Sequence, residues 1–287
     1  MTHADDVVVT GAAHVPGAVL EDALAVLPDA VRARAVRAER VTALALAAAW
    51  RALEAAGLGA PAGAPDASRG VVVGTAFGCF LTNAEHQRRV AAGGPAAASP
   101  RAFAATVSNA AAGEIGIACR LGGPAVTLTA GRAAGLAALD EAARLVRAGH
   151  ASALVAGGAD AWGPALARWL ADAGLGLAGE GAAFLVVERR AAAAARGVRP
   201  RAAIVGSWAG FAGRGHHELV AALAPARVIG ADDGVATARL GDGLAERAPA
   251  ALAAALDDLA PGAVALVWET CPSGHAAAVA IRREDEP

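Results

Sequence analysis

Short apolar runs that stop at glycine and hand over to a helical pattern recur along this 287-residue chain, and that alternation limits the folds open to it. Val7-Val8-Val9-Thr10-Gly11 and Val71-Val72-Val73-Gly74 read as buried strands closed by glycine turns, as does 152–156 before Gly157-Gly158. Between them, 39–57 reads as a helix. Val41, Leu44, Leu46, Ala48 and Leu53 alternate with Arg51 and Glu54, and Gly57 suits a C-terminal cap. Further helices are expected over 83–90, 106–119 and 133–148, with strands over 126–128 and 181–187. Strands that alternate with helices form parallel βαβ units, with helices on both faces of the sheet.

After Glu188-Arg189-Arg190 the chain enters an alanine-rich, arginine-containing stretch, 191–200, which reads as a connector. The expected organisation is therefore a first half over 1–190 and a reduced second half over 191–287, packed as one unit. The second half repeats the pattern more thinly: strands over 202–206, 228–229, 263–268 and 276–281, and helices over 216–223 and 244–256.

Composition removes several classes of function. The net charge is -2, every basic side chain is arginine, and like charges form no block. Nucleic acid is therefore not an expected partner. No apolar run is long and uniform enough to span a bilayer, and Met1-Thr2-His3-Ala4-Asp5-Asp6 lacks a basic signal-peptide start, so a cytoplasmic location is expected. Cys79, Cys119 and Cys271 show no metal-ligand spacing. His216-His217-Glu218 reads as a solvated helix start rather than a metal site. The glycine-rich run 174–181 lacks the Lys and Ser/Thr of a phosphate loop.

One segment carries chemistry. Gly123-Pro124-Ala125-Val126-Thr127-Leu128-Thr129-Ala130-Gly131-Arg132-Ala133-Ala134-Gly135 is a strand, a tight turn and a helix start. It resembles the nucleophile turn of the β-ketoacyl synthases. The resemblance extends through Gly74-Thr75-Ala76-Phe77-Gly78, Ser99-Pro100-Arg101-Ala102-Phe103, Val107-Ser108-Asn109, Val155-Ala156-Gly157-Gly158-Ala159-Asp160 and Gly179-Glu180-Gly181, in order. It implies a thiolase-like α/β fold of five alternating αβαβα layers, here with a shortened C-terminal half. It also implies pairing through the strand that holds Val126 and Leu128, and no cofactor.

Arg132 falls where that family keeps its acyl-accepting cysteine. Cysteine suits the position because a helix N-terminus favours the thiolate, whereas arginine stays protonated and is not a nucleophile. A guanidinium there is expected to pair with a carboxylate, either Glu114 or one from a partner. The family's first histidine turn is matched best by Asp233-Gly234-Val235-Ala236-Thr237, which has Asp233 in place of histidine.

The resemblance then implies a chain-length-factor-like subunit without activity of its own. Its partner would be a cysteine-bearing ketosynthase working on an acyl carrier protein, in polyketide, polyene or fatty-acid-like elongation. Phe77, Phe80 and Phe103, three of five phenylalanines, read equally as core or as rings that plug the partner's acyl tunnel. Two other readings stay open. One is an acyltransferase or hydrolase using another nucleophile such as Cys271. There the Cys271–His275 spacing fixes no geometry and favours a structural cysteine beside a surface histidine. The other is a homodimeric scaffold or binding protein derived from a ketosynthase.

Overall fold

The computed structural model describes residues 7–59, 63–176, 179–211, 215–230, 238–239 and 243–284. The first half contains β1 (Val7–Pro16), α1 (Leu20–Ala25), α2 (Asp29–Ala35), α3 (Arg40–Ala55), β2 (Arg69–Thr75), α4 (Phe80–Gly93), α5 (Pro100–Ala104), α6 (Ala110–Ala118), β3 (Ala125–Thr129), α7 (Ala134–Arg147), β4 (Ala153–Asp160), α8 (Pro164–Asp172) and β5 (Gly181–Arg189). The second contains α9 (Arg190–Ala195), β6 (Ala202–Phe211), α10 (Gly215–Leu223), β7 (Arg227–Gly230), β8 (Ala238–Arg239), α11 (Arg247–Asp258), β9 (Val264–Thr270) and β10 (His275–Arg283).

The strands hydrogen-bond in the order β3-β2-β4-β5-β1-β6-β10-β9-β7-β8. Read outward from the β1–β6 seam, each half repeats the other. The first strand pairs antiparallel with the fifth, the fifth antiparallel with the fourth, and the fourth parallel with the second. The second then pairs parallel with the third. The seam itself is short, with Val8 opposite Ala203 and Val9 opposite Ala202.

Helices supply the other layers. α7 packs on β2 and β4 of its own half and on β6 and β10 of the other, while α11 packs on β9 and reaches back to β5 and β1. These two helices thus fill the space between the half-sheets. Their faces meet in a core of Leu136, Leu139, Val146, Leu252 and Leu256 with Val187, Val267 and Val279. α3 covers the outer face of the first half-sheet and α10 that of the second, completing five layers.

The structure departs from the sequence reading in places with clear causes. β1 does not turn at Gly11 but continues to Pro16, with its register to β5 shifting between Val9 and Gly11. A Cβ on Gly11 would lie 2.2 Å from the Ala52 carbonyl oxygen, so glycine marks the close approach of α3 at an irregularity rather than a strand end. α3 is buried on every side from Thr42 to Trp50 because α1, α2 and α6 cover it. The stretch read as a connector begins with α9.

Candidate functional site

Among the described residues β3 is hydrogen-bonded only to β2, with Val126 opposite Val72 and Leu128 opposite Gly74, so its other side is a sheet edge. The chain leaves β3 at Thr129, turns through Ala130 to Ala133 and enters α7. The turn needs glycine at position 131, where φ is +54° and a Cβ would lie 2.9 Å from Cβ and Sγ of Cys271.

Arg132 follows, and its Nη2 donates to Glu269 Oε2 at 3.0 Å. Glu269 sits near the end of β9 with its side chain 2 % exposed, and its Oε1 accepts from the Thr270 N–H at 2.9 Å. Burial pushes the Glu269 carboxyl up from its ordinary value, and the Arg132 guanidinium pulls it back. The expected pairing of Arg132 with Glu114 is therefore corrected. Glu114, on α6, accepts instead from Arg34 Nε of α2 at 2.9 Å.

Asp160, the last residue of β4, is fully buried. It accepts from Thr75 Oγ1 at 2.7 Å, from the Phe77 N–H at 2.9 Å, from the Ala76 N–H and, across to the second half, from the Ala245 N–H at 3.0 Å. One carboxylate thus holds the turn after β2 against the entry to α11. Burial pushes its carboxyl up, and these donors oppose the shift.

The Asp160 clamp aims the turn after β2 at an apolar cluster. Phe77 and Phe80 lie edge-on, with centroids 6.4 Å apart, and both meet Trp169 of α8, at 5.7 Å and 6.1 Å. Leu81, Trp162, Leu166, Leu170 and Leu244 complete it. Phe103 is separate: its ring meets His86 at 5.9 Å and is largely exposed. The grouping of three phenylalanines is therefore corrected to Phe77 and Phe80 with Trp169. The sequence reading overlooked Trp169 because it overlooked α8.

α4 and α5 bury no residue, α6 packs on β3, and Phe103, Val107 and Ile117 are exposed. Asn109 precedes α6, exposed and without a side-chain capping bond.

The cysteines differ in surroundings. Cys119 is buried, which pushes its thiol up to about 12. Cys79 sits in an apolar run that suggests a core position, but it is only part-buried and donates to the Thr106 carbonyl at 2.9 Å. Cys271 and His275 bracket Ser273, whose Oγ lies 2.7 Å from Cys271 Sγ and 2.9 Å from His275 Nδ1. His216 is no solvated helix start, since its ring stacks on Trp268 at 4.0 Å and is buried. Asp233 lies outside the described residues. Among those described, no group of His, Cys, Asp and Glu side chains suits a metal ion, and no helix is long and apolar enough to cross a membrane.

The model of the β-ketoacyl synthase N-terminal domain matches residues 2–181. The 3-oxoacyl-[acyl-carrier-protein] synthase 2 of Vibrio cholerae is 31% identical over 196 residues, which cover 60% of this chain and 46% of that protein. The chain thus spans less than half the length of this curated relative. Solved structures with this fold include the ishigamide ketosynthase/chain length factor, at TM-score 0.75 and 21% identity over 98% of this chain and 100% of that one. A type II polyketide synthase acyl-carrier protein in complex with its ketosynthase bound to the hexaketide gives TM-score 0.78 and 18% identity, covering 97% and 99%. A β-ketoacyl synthase from Burkholderia phymatum gives 0.78 and 15%, covering 98% and 100%. With well over half of its residues matched by the family model, on a sheet duplicated about the β1–β6 seam, the chain belongs to the β-ketoacyl synthase family.

Proposed function

We propose that this chain is a non-catalytic, chain-length-factor-like subunit that pairs with a cysteine-bearing ketosynthase and shapes its acyl tunnel during elongation on an acyl carrier protein. The observation that carries the reading is Arg132. It stands in the turn between β3 and α7, where the family requires a thiol, and it is engaged by Glu269. A paired guanidinium neither loses a proton near neutral pH nor attacks a thioester.

Two further features support the reading. The free edge of β3, with Ile117 exposed on α6 beside it, is a feature of the kind that a partner covers, and Phe103 and Val107 are exposed apolar side chains as well. Phe77, Phe80 and Trp169 offer rings of the size that limits a growing chain, since overfilling a packed channel costs about 1–3 kcal/mol. The similarity to a ketosynthase/chain length factor, and to a ketosynthase in complex with a carrier protein, points to polyketide-like chemistry.

The test is co-expression with a ketosynthase encoded beside this gene, followed by size-exclusion chromatography and an elongation assay on the carrier protein. A stable pair that elongates only when both chains are present supports the proposal. A homodimer that ignores the ketosynthase sinks it.

A further inference from the structure

The loop between β9 and β10 carries three reactive groups in line. Cys271 Sγ lies 2.7 Å from Ser273 Oγ, and that oxygen lies 2.9 Å from His275 Nδ1. The backbone pins the array: the Cys271 N–H donates to the His275 carbonyl at 2.9 Å, and the Gly274 N–H donates to the Cys271 carbonyl at 2.9 Å. Thr270 Oγ1 donates to the same His275 carbonyl at 3.3 Å. The imidazole is braced edge-on by Phe211, with centroids 5.3 Å apart. Cys271 is 7% exposed, a Cβ on Gly131 would lie 2.9 Å from its Sγ, and Pro272 and Ser273 beside it face solvent, so access to the thiol is through the Ser273 side of the loop.

We propose that Cys271, Ser273 and His275 form an acyl-accepting site for thioesters, in which Ser273 relays the thiol proton to His275. Both links fall within the reach of a nucleophile–base pair. The inference stands on this loop alone, does not depend on pairing with a ketosynthase, and concerns stoichiometric acylation of this chain's own thiol rather than the condensation that Arg132 precludes.

With the imidazole proton on Nε2, Ser273 Oγ donates to Nδ1 and accepts from the Cys271 thiol. As Sγ bonds to the thioester carbonyl carbon, Ser273 takes the thiol proton and passes its own to Nδ1. Collapse of the tetrahedral adduct breaks the carbon–sulfur bond of the incoming thioester, and the proton returns through Ser273 to the departing thiolate. The acyl group has moved from one sulfur to another. No proton is gained or lost overall, and no co-reactant is consumed. The exposed ring of Phe211 gives an acyl chain an apolar surface beside the imidazole.

The full chain is incubated with the hexanoyl thioester of N-acetylcysteamine and followed by intact-protein mass spectrometry and peptide mapping. One hexanoyl group is expected, on the peptide that holds Cys271, and it should be lost in C271A. S273A should slow loading by about 100-fold, S273T should restore most of the rate, and H275Q should behave like S273A. Ser273 lies on the surface, and a thermal melt confirms that its variants stay folded. The proposal is overturned if no label enters, if Cys79 labels first, or if S273A and H275Q load at the wild-type rate. Failure to bind a ketosynthase would leave these outcomes unchanged, so the two proposals fail separately.

Discussion

Arg132 and Glu269 lie 137 residues apart, one in each half, and meet at 3.0 Å where β9 ends against the start of α7. Glu269 is almost wholly out of water and Arg132 only partly so. Removing the guanidinium strands a buried carboxylate, which costs more than the pair itself contributes. Arg132→Ala should therefore lower the unfolding free energy by about 3 kcal/mol. Adding Glu269→Gln should recover most of that loss. Urea titration of the two single variants and the double variant measures the coupling, and strictly additive effects would exclude it.

Gly131 carries both a left-handed backbone and a contact with Cys271. Gly131→Ala should cost about 1–2 kcal/mol for the backbone alone, with a further loss from the methyl group pressed on Sγ. Gly131→Ala/Cys271→Ala removes Sγ but keeps the Cβ that also lies 2.9 Å away, so it should recover only part of the second loss and none of the first. Thermal melts that show no recovery would mean that the contact yields freely.

Glu246 is 5% exposed, and its carboxyl is pushed from 4.5 up to about 7, by burial first and by the neighbouring Asp160 second. The folded state thus holds this proton more tightly than the unfolded chain does. Its contribution to stability is complete below pH 4.5 and is lost as the pH rises through about 7. The loss is on the order of 3 kcal/mol. Glu246→Gln should flatten this fall. Denaturant midpoints on either side of the window check it, and a variant that falls as steeply as the wild type would contradict the assignment.

Ile117 is 62% exposed on α6, which packs on β3, and Phe103 is 64% exposed on α5. Ile117→Asp and Phe103→Glu should change the stability of the free chain by no more than about 0.5 kcal/mol. The same changes should weaken the proposed pairing by tenfold or more. Analytical ultracentrifugation of the mixed chains decides between these outcomes, and unchanged association would move the interface elsewhere.

How much was legible in the chain depends on how local the signal is. Val71 to Val73 and the leucines of α7 repeat with their own period, so β2 and α7 were readable within two residues of their ends. α1 and α2 were missed because each is under two turns long and buries only two or three residues, Leu20, Ala23 and Leu24 in one and Val31 and Ala35 in the other, too few to set a helical period. Arg132 was found because its turn has a local pattern. Glu269 was not, since an ion pair across 137 residues leaves none. The spacing of Cys271 and His275 was visible, but the place of Ser273 between them comes from the tight return of β9 into β10. Asp160 stood in a recognisable motif, yet its grip on Ala245 depends on how the halves fold together.

The repeated strand order has a consequence for what such a chain can lose over generations. α7 and α11 are shared property: each lies against both half-sheets, so damage to either would uncover two surfaces at once. The outer helices shield one surface only. Loss there would uncover less, and among the described residues the second half carries the thinner cladding, α10 against α1, α2, α3 and α6. A family member can in this way give up residues of its chemistry and much of one flank while the buried middle stays intact.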